Sequence, residues 1–319
     1  MKKGIFVAAI ILSIIFSVTV SDEHKIPTTP LENVDKNYYI KDFKEELKIK
    51  QILSNKKRVD VGSDFLIDVL KHNDRLNYYD LYLKLAKEKG YVITSYADYI
   101  ENYKGKDQKV LILRHDIDEF NKGDQKIFEI EKRNHVKATY YFRWVTFDKK
   151  FIDNLKVAGF EVGLHYETIA TYCDKYNIRT LTKNDIAKCR EILKQEIIRF
   201  KSKSGINIKT IASHGAKTNI RLKIQNNLLL EGENYSDYGI ISEVYDKNIL
   251  KNYITTYICD IHLYKNFGFA YKENPIDAIM KGDKVIEFLS HPNHWDFSPF
   301  ERSYMLRTMK LNKSKLYKR

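Results

Sequence analysis

The stretch that decides the fold is LILRHDID, which occupies residues 111–118. It is an apolar run that stops at two acids, Asp116 and Asp118. An apolar run of this length is typical of a buried β-strand, and the acids stand where that strand would emerge. Side chains two positions apart on a strand point to the same face, so the two carboxylates would lie together. Crowded carboxylates repel unless a cation or a shared proton separates them; a solvated, Asp-rich turn is the alternative interpretation.

Short apolar runs recur along the chain and alternate with segments of helical periodicity. The runs are residues 91–94, 110–113, 138–142, 160–164, 208–212 and 285–289. Helices are predicted between several of them, with Asn77, Asp148 and Thr182 as N-caps. Strands that alternate with helices favour a parallel α/β sheet or barrel.

Acids or histidines stand just beyond four of these predicted strands. They are Asp116 with Asp118, then His165, His214 and His291. A single strand-end histidine is more often structural than functional. Because the carboxyl ends of parallel strands meet at one edge of a sheet, their recurrence nevertheless predicts a site assembled at that edge.

Carboxylate and imidazole ligands suit a divalent, zinc-like ion that keeps a coordination position for water. Such an ion lowers the pKa of its water, while a neighbouring acid takes the proton and a histidine protonates a leaving amine. This set of groups is typical of metal-assisted amide hydrolysis. The sequence has neither a nucleophile-elbow Ser or Cys nor a Gly-rich phosphate loop.

Four motifs occur in an order that resembles the polysaccharide deacetylases of the NodB-homology type. The motifs are RHDID at 114–118, EVGLHYE at 161–167, SHG at 213–215 and LSHPNHW at 289–295. More closely, they are similar to the subgroup associated with surface-polysaccharide biosynthesis. The resemblance covers about residues 75–296. It implies a deformed (β/α) barrel that removes N-acetyl, less often O-acetyl, groups from sugars with a bound divalent metal, zinc being favoured.

The resemblance also implies roles for individual residues. Asp116 matches the catalytic base and His291 the general acid, whereas Asp118 and His165 match metal ligands. A residue that orients His291 is matched by Asp260. The substrate pocket would be lined by Tyr166, Glu167 and Trp295, although core packing is an equal alternative for Trp295.

The second motif departs from the family pattern. The family carries another histidine four residues after the first, but Ile169 stands there. His214 is the preferred replacement as third ligand, and Glu167 is the second choice because glutamate also binds zinc. The family's base-holding arginine has no clear equivalent: Arg143 and Arg114 are candidates, and a plain strand-end salt bridge is the alternative for Arg114.

The N-terminus has the pattern of an export signal. Two lysines precede an apolar stretch from Ile5 to Val20. We therefore expect residues 1–22 to be a signal peptide or membrane anchor, with the mature chain periplasmic, extracellular or anchored. Residues 23–74 are predicted to be a polar extension, 75–296 the deacetylase domain and 297–319 a basic tail.

The net charge of +13 does not by itself indicate nucleic acid, because lysines and acids are interleaved along the chain. No nucleic-acid partner is expected; an acetylated carbohydrate is. The tail from Arg307 to Arg319 has six basic residues and no acid, which is compatible with contact with an anionic membrane or polymer. Three cysteines without metal-ligand spacing do not decide the compartment.

The sequence therefore indicates one function and leaves one alternative open. The first is a metal-dependent deacetylase that acts on a carbon–nitrogen bond other than a peptide bond, in a surface polysaccharide or its precursor. The alternative is a carbohydrate-binding or scaffold protein of the same fold that has lost catalysis, which Ile169 favours.

Overall fold

The computed structural model describes residues 75–119, 123–260, 269–270 and 274–296. Within them, eight strands form one parallel sheet that curls into a partial barrel. The strands are β1 Val92–Thr94, β2 Val110–Ile117, β3 Thr139–Phe142, β4 Glu161–Tyr166, β5 Thr210–Ser213, β6 Ser242–Glu243, β7 Thr256–Cys259 and β8 Val285–Ser290. The predicted α/β class, with a deformed (β/α) barrel, is confirmed.

Strand β2 is an interior strand of the sheet and pairs with three others, β1, β3 and β8. The strands follow the order β6-β5-β4-β3-β2-β8-β7, and β1 pairs with the first part of β2. The register places Asp116 opposite Tyr141, and Tyr141 opposite Gly163. Because all strands are parallel, the residues that follow them meet at one edge, as the sequence predicted.

Most of the helices cover the convex face of the sheet. The α-helices among the described residues are α1 Arg75–Glu88, α2 Tyr96–Asp98, α3 Gly123–Arg133, α4 Lys149–Val157, α5 Thr168–Lys175, α6 Lys183–Ser204, α7 Lys217–Leu222, α8 Lys247–Asn252 and α9 Pro275–Lys281. The predicted caps of α4 and α6, Asp148 and Thr182, are confirmed. Asn77 is not a cap, because α1 already includes Arg75.

Alternation along the strands separates two hydrophobic clusters. Leu111, Leu113 and Ile117 pack in the large cluster under the helices, whereas Val110 and Ile112 belong to a smaller one on the concave face. Asp116 has the same parity as Ile112, so its side chain lies on the concave face. The site therefore stands at the mouth of the partial barrel.

Several sequence predictions fall outside the described residues. These are the signal or anchor at 1–22, the extension at 23–74 and the tail at 297–319. Within the part of the chain that is described, no helix combines the length and apolar character needed to cross a bilayer.

The close approach of β3, β4 and β5 at Gly163 yields a stability prediction. A Cβ at this position would lie 2.4 Å from the Tyr141 ring and 2.7 Å from the carbonyl oxygen of Thr210. We expect Gly163→Ala to lower the free energy of unfolding by about 1–3 kcal/mol, since a carbonyl in a strand cannot move aside. Urea denaturation would measure this. Gly215→Ala is the control, because its Cβ meets nothing within 4 Å; equal losses in both variants would contradict the packing.

Candidate active site and metal centre

Asp118 lies at the centre of the residues that the sheet brings together. Its Oδ1 lies 3.2 Å from Nε2 of His165 and 3.6 Å from Nε2 of His214. Its Oδ2 lies 3.7 Å from Nε2 of His291. Asp116 also joins this group, with Oδ2 at 3.5 Å from Nε2 of His165. All five strand-end residues predicted for the site thus occupy one place.

Asp118, His165 and His214 fit a divalent metal. One ligand atom from each lies within 4.8 Å of the other two, and the buried Oδ1 of Asp118 has no hydrogen-bond partner. Nδ1 of His165 lies 3.0 Å from the carbonyl oxygen of Ala212. A carbonyl can only accept, so this ring donates from Nδ1 and its Nε2 lone pair faces Asp118. Carboxylate and imidazole are ligands that zinc accepts.

Asp116 is held by a buried arginine of its own strand. Nε and Nη2 of Arg114 donate to the two oxygens of Asp116, at 3.0 and 2.7 Å. Burial alone would raise the pKa of Asp116, but the Arg114 guanidinium outweighs it and holds that pKa below its usual value. Of the two arginines considered from the sequence, Arg114 therefore contacts the expected base.

Arg114 has further partners on the concave face. Its Nη1 lies 3.4 Å from Oε1 of Glu287, and its guanidinium lies 4.4 Å from the centre of the Tyr245 ring. Arg114 and Glu287 are both fully buried. A charge this deep requires such partners, because an uncompensated one is strongly destabilising.

His291 forms a pair with Asp260 on the other side of Asp118. Its Nδ1 lies 2.6 Å from Oδ1 of Asp260, and its backbone N–H donates to Oδ2 at 2.8 Å. Burial alone would lower the pKa of His291, but the Asp260 carboxylate raises it to about 9. His294 also approaches Asp260, with Nδ1 at 3.5 Å from Oδ1. Asp260 thus orients His291 as the family resemblance implied.

Two residues expected in the substrate pocket lie elsewhere. Tyr166 alternates with His165 on β4, so its ring points to the convex face and packs in the large hydrophobic cluster. Trp295 is also buried in that cluster, against Tyr79 and Phe288, and its Nε1 donates to Asp260 at 2.7 Å. Trp295 therefore contacts the His291–Asp260 pair from the side of the large hydrophobic cluster.

The remaining candidates of the second motif are placed clearly. Glu167 is partly exposed beside His214, and its carboxylate accepts from that ring and from Arg143. Ile169, where the family has a histidine, is fully buried in the large cluster and offers no ligand.

Comparison with known proteins gave matches among solved structures alone. Neither a family model nor a curated protein matches. The chain is similar to a CE4 family pseudoenzyme from Bacillus anthracis, in a mutant form with restored enzymatic activity, at 18% identity and a TM-score of 0.37; the match covers 67% of this chain and 66% of that one. IcaB from Ammonifex degensii matches at 15% identity and a TM-score of 0.38, over 53% and 74%.

A family 4 carbohydrate esterase from Streptomyces lividans, in complex with acetate, matches at 15% identity and a TM-score of 0.33, over 64% of this chain and 88% of that one. The chain spans just under two thirds of the first of these structures. CE4 carbohydrate esterases, the family type that the motifs resemble, are thus among the structures similar to this chain.

Glu287 yields a prediction of pH dependence. Burial raises its pKa to about 7 against the opposing effect of Arg114. The folded protein therefore holds this proton more tightly than the unfolded chain does. Stability is greatest below the unfolded pKa, about 4.3, and falls as the pH rises towards 7. We expect Glu287→Gln to remove this fall.

The measurement is urea unfolding of the metal-free protein at pH 5 and pH 8. Between pH 5 and pH 8, the free energy of unfolding of Glu287→Gln should rise by about 1–3 kcal/mol relative to that of the parent. Glu101→Gln, an exposed carboxylate paired with Lys209, is the control and should show no such gain. If the free energies of unfolding of Glu287→Gln and the parent differ by the same amount at pH 5 and pH 8, Glu287 is ionised over this whole range.

Proposed function

We propose that this chain is a metal-dependent hydrolase that removes an acetyl group from a sugar, with an N-acetyl group favoured over an O-acetyl group. The observation that carries the proposal is the arrangement around Asp118. Asp116 lies on one side of the Asp118–His165–His214 trio, and the His291–Asp260 pair lies on another.

The trio would hold a divalent metal, with zinc favoured by its carboxylate and imidazole ligands. When bound, the ion would activate a water molecule and polarise the acetyl carbonyl. Asp116 stands beside the trio to accept the proton of that water. Its orientation is fixed, because both of its oxygens accept from Arg114.

His291 would donate a proton to the departing nitrogen. Its Nδ1 is occupied by Asp260, so Nε2 is the atom that faces the centre, 3.7 Å from Asp118. The paired carboxylate favours the imidazolium form needed by an acid. An amine needs this proton more than an alcohol does, which supports the amide over the ester.

Other parts of the proposal come from the sequence alone. They are export through residues 1–22, a surface polysaccharide or its precursor as substrate, and contact of residues 307–319 with an anionic surface. The two lysines and the apolar stretch at the N-terminus support export, the order of the four motifs supports the polysaccharide substrate, and the acid-free basic run supports the anionic contact.

The base is tested by Asp116→Asn. We expect the rate of acetate release from an N-acetylglucosamine oligomer to fall on the order of 10²–10⁴-fold, because the amide cannot accept the proton. Metal content, measured by mass spectrometry, should stay near that of the parent. Asp153→Asn, an exposed carboxylate paired with Lys149 on α4, is the control. Full activity in Asp116→Asn would overturn the assignment.

The non-catalytic alternative is favoured by one observation, the buried Ile169 at the position of the family's second histidine. Removal of metal with a chelator separates the two functions. A deacetylase should lose acetate release and regain it with zinc. Absence of stoichiometric metal in the parent, together with sugar binding that His165→Ala leaves intact, would instead support a binding protein.

A further inference from the structure

The side chain of Glu167 is the immediate support of the His214 ring. Its Oε2 lies 3.0 Å from Nδ1 of His214. Nη2 of Arg143 donates to both oxygens of the same carboxylate, at 3.0 and 2.9 Å. Because the carboxylate has Arg143 as its charge partner, it acts as an acceptor and fixes the proton of His214 on Nδ1. The lone pair on Nε2 is thereby directed towards Asp118.

Arg143 reaches a second ligand residue as well. Its Nη1 donates to the carbonyl oxygen of Asp118 at 3.0 Å. One guanidinium from the segment after β3 therefore fixes the backbone of the carboxylate ligand and, through Glu167, the ring of His214. Asp118 follows β2 and His214 follows β5, and both β3 and β4 lie between these strands, so the Arg143 side chain spans the gap between the two ligands.

The backbone of His214 is anchored by a buried asparagine. Nδ2 of Asn226 donates to the carbonyl oxygen of His214 at 2.6 Å. Its Oδ1 accepts from the backbone N–H of Ile169 at 2.9 Å. Asn226 is fully buried; its bond with Ile169 is shielded from water, and its bond with His214 is partly buried. The first turn of α5, where the family's second histidine would stand, is thus tied to the residue that replaces it.

We propose that Arg143, Glu167 and Asn226 are positioning residues that make His214 the third metal ligand of this chain. The inference rests on the proposed metal site and deepens it. Glu167 acts through the ring and is not itself a ligand, since its carboxylate is engaged by Arg143 and His214. Residues that orient a metal-bound histidine through its other nitrogen typically contribute 10–100-fold to metal affinity.

The experiment is a zinc competition titration of the metal-free protein against a chromophoric chelator. Glu167→Gln should weaken zinc binding 10–100-fold. The matched control is Glu196→Gln on α6. Glu196 accepts a hydrogen bond from the hydroxyl of Thr168, the residue after Glu167, but makes no hydrogen bond with His214. The control should bind zinc as the parent does, and thermal unfolding of each metal-free variant should report an intact fold.

A thermodynamic cycle with His214→Ala identifies the route of the effect. If Glu167 acts through His214, Glu167→Gln should cost less than about 2-fold once His214 is absent, because coupled residues are not additive. The Co²⁺-loaded parent and Glu167→Gln should also differ in their visible spectra, since the ring is released from its orientation.

The outcomes separate the inference from the proposed function. Failure of the parent to bind zinc would overturn both. Zinc binding by the parent with equal affinity in Glu167→Gln would overturn the positioning role alone. Equal weakening in Glu167→Gln and Glu196→Gln, or the same loss with and without His214, would also overturn it, because the effect would then come from a disturbed α5.

Discussion

The bidentate ion pair between Arg114 and Asp116 is the contact on which the site depends. Both side chains are almost completely buried on the concave face of the sheet. Removal of Arg114 would leave the buried Asp116 carboxylate without its main charge partner, which typically costs about 3–5 kcal/mol. The surrounding groups follow from this constraint, because Glu287, Tyr245 and Tyr141 contact the guanidinium where aliphatic side chains would otherwise fill a barrel. The buried guanidinium of Arg114 therefore contributes both to the stability of the fold and to the orientation of the proposed base, Asp116.

Much of the fold could be predicted because the short apolar runs alternate with helical segments, and four of them are followed by acids or histidines. Six of the strands coincide with such runs, and the helix caps Asp148 and Thr182 follow standard capping chemistry. The two strands that sequence reasoning missed carry weak signals. Strand β6 has two residues, and β7, Thr256–Cys259, has four, among them only one aliphatic residue, Ile258. Their pairing comes from tertiary context.

The candidate site was predictable in position but not in its supporting contacts. Parallel strand ends place Asp116, Asp118, His165, His214 and His291 together. Strand alternation could have predicted the Arg114–Asp116 pairing, because residues two apart share a face. It could also have predicted that Tyr166, which follows His165 directly, points to the opposite face. The bonds from Arg143 to Glu167 and from Asn226 to His214 join residues 24 and 12 positions apart through loops. Local pattern carries no information on such contacts.

The parallel arrangement of β4 and β5 has a consequence for how such sites diversify. His165 and Ala212 are direct neighbours across the two strands, so the residue just after β5 stands close to the residue just after β4. A coordinating group supplied by the neighbouring strand would thus reach the same point at the rim of the sheet. Motif spacing would then misclassify a working descendant as degenerate, whereas the distance between side chains in the folded chain would not. The ligand set of such a site is therefore to be sought along the whole rim of the sheet and not within one motif.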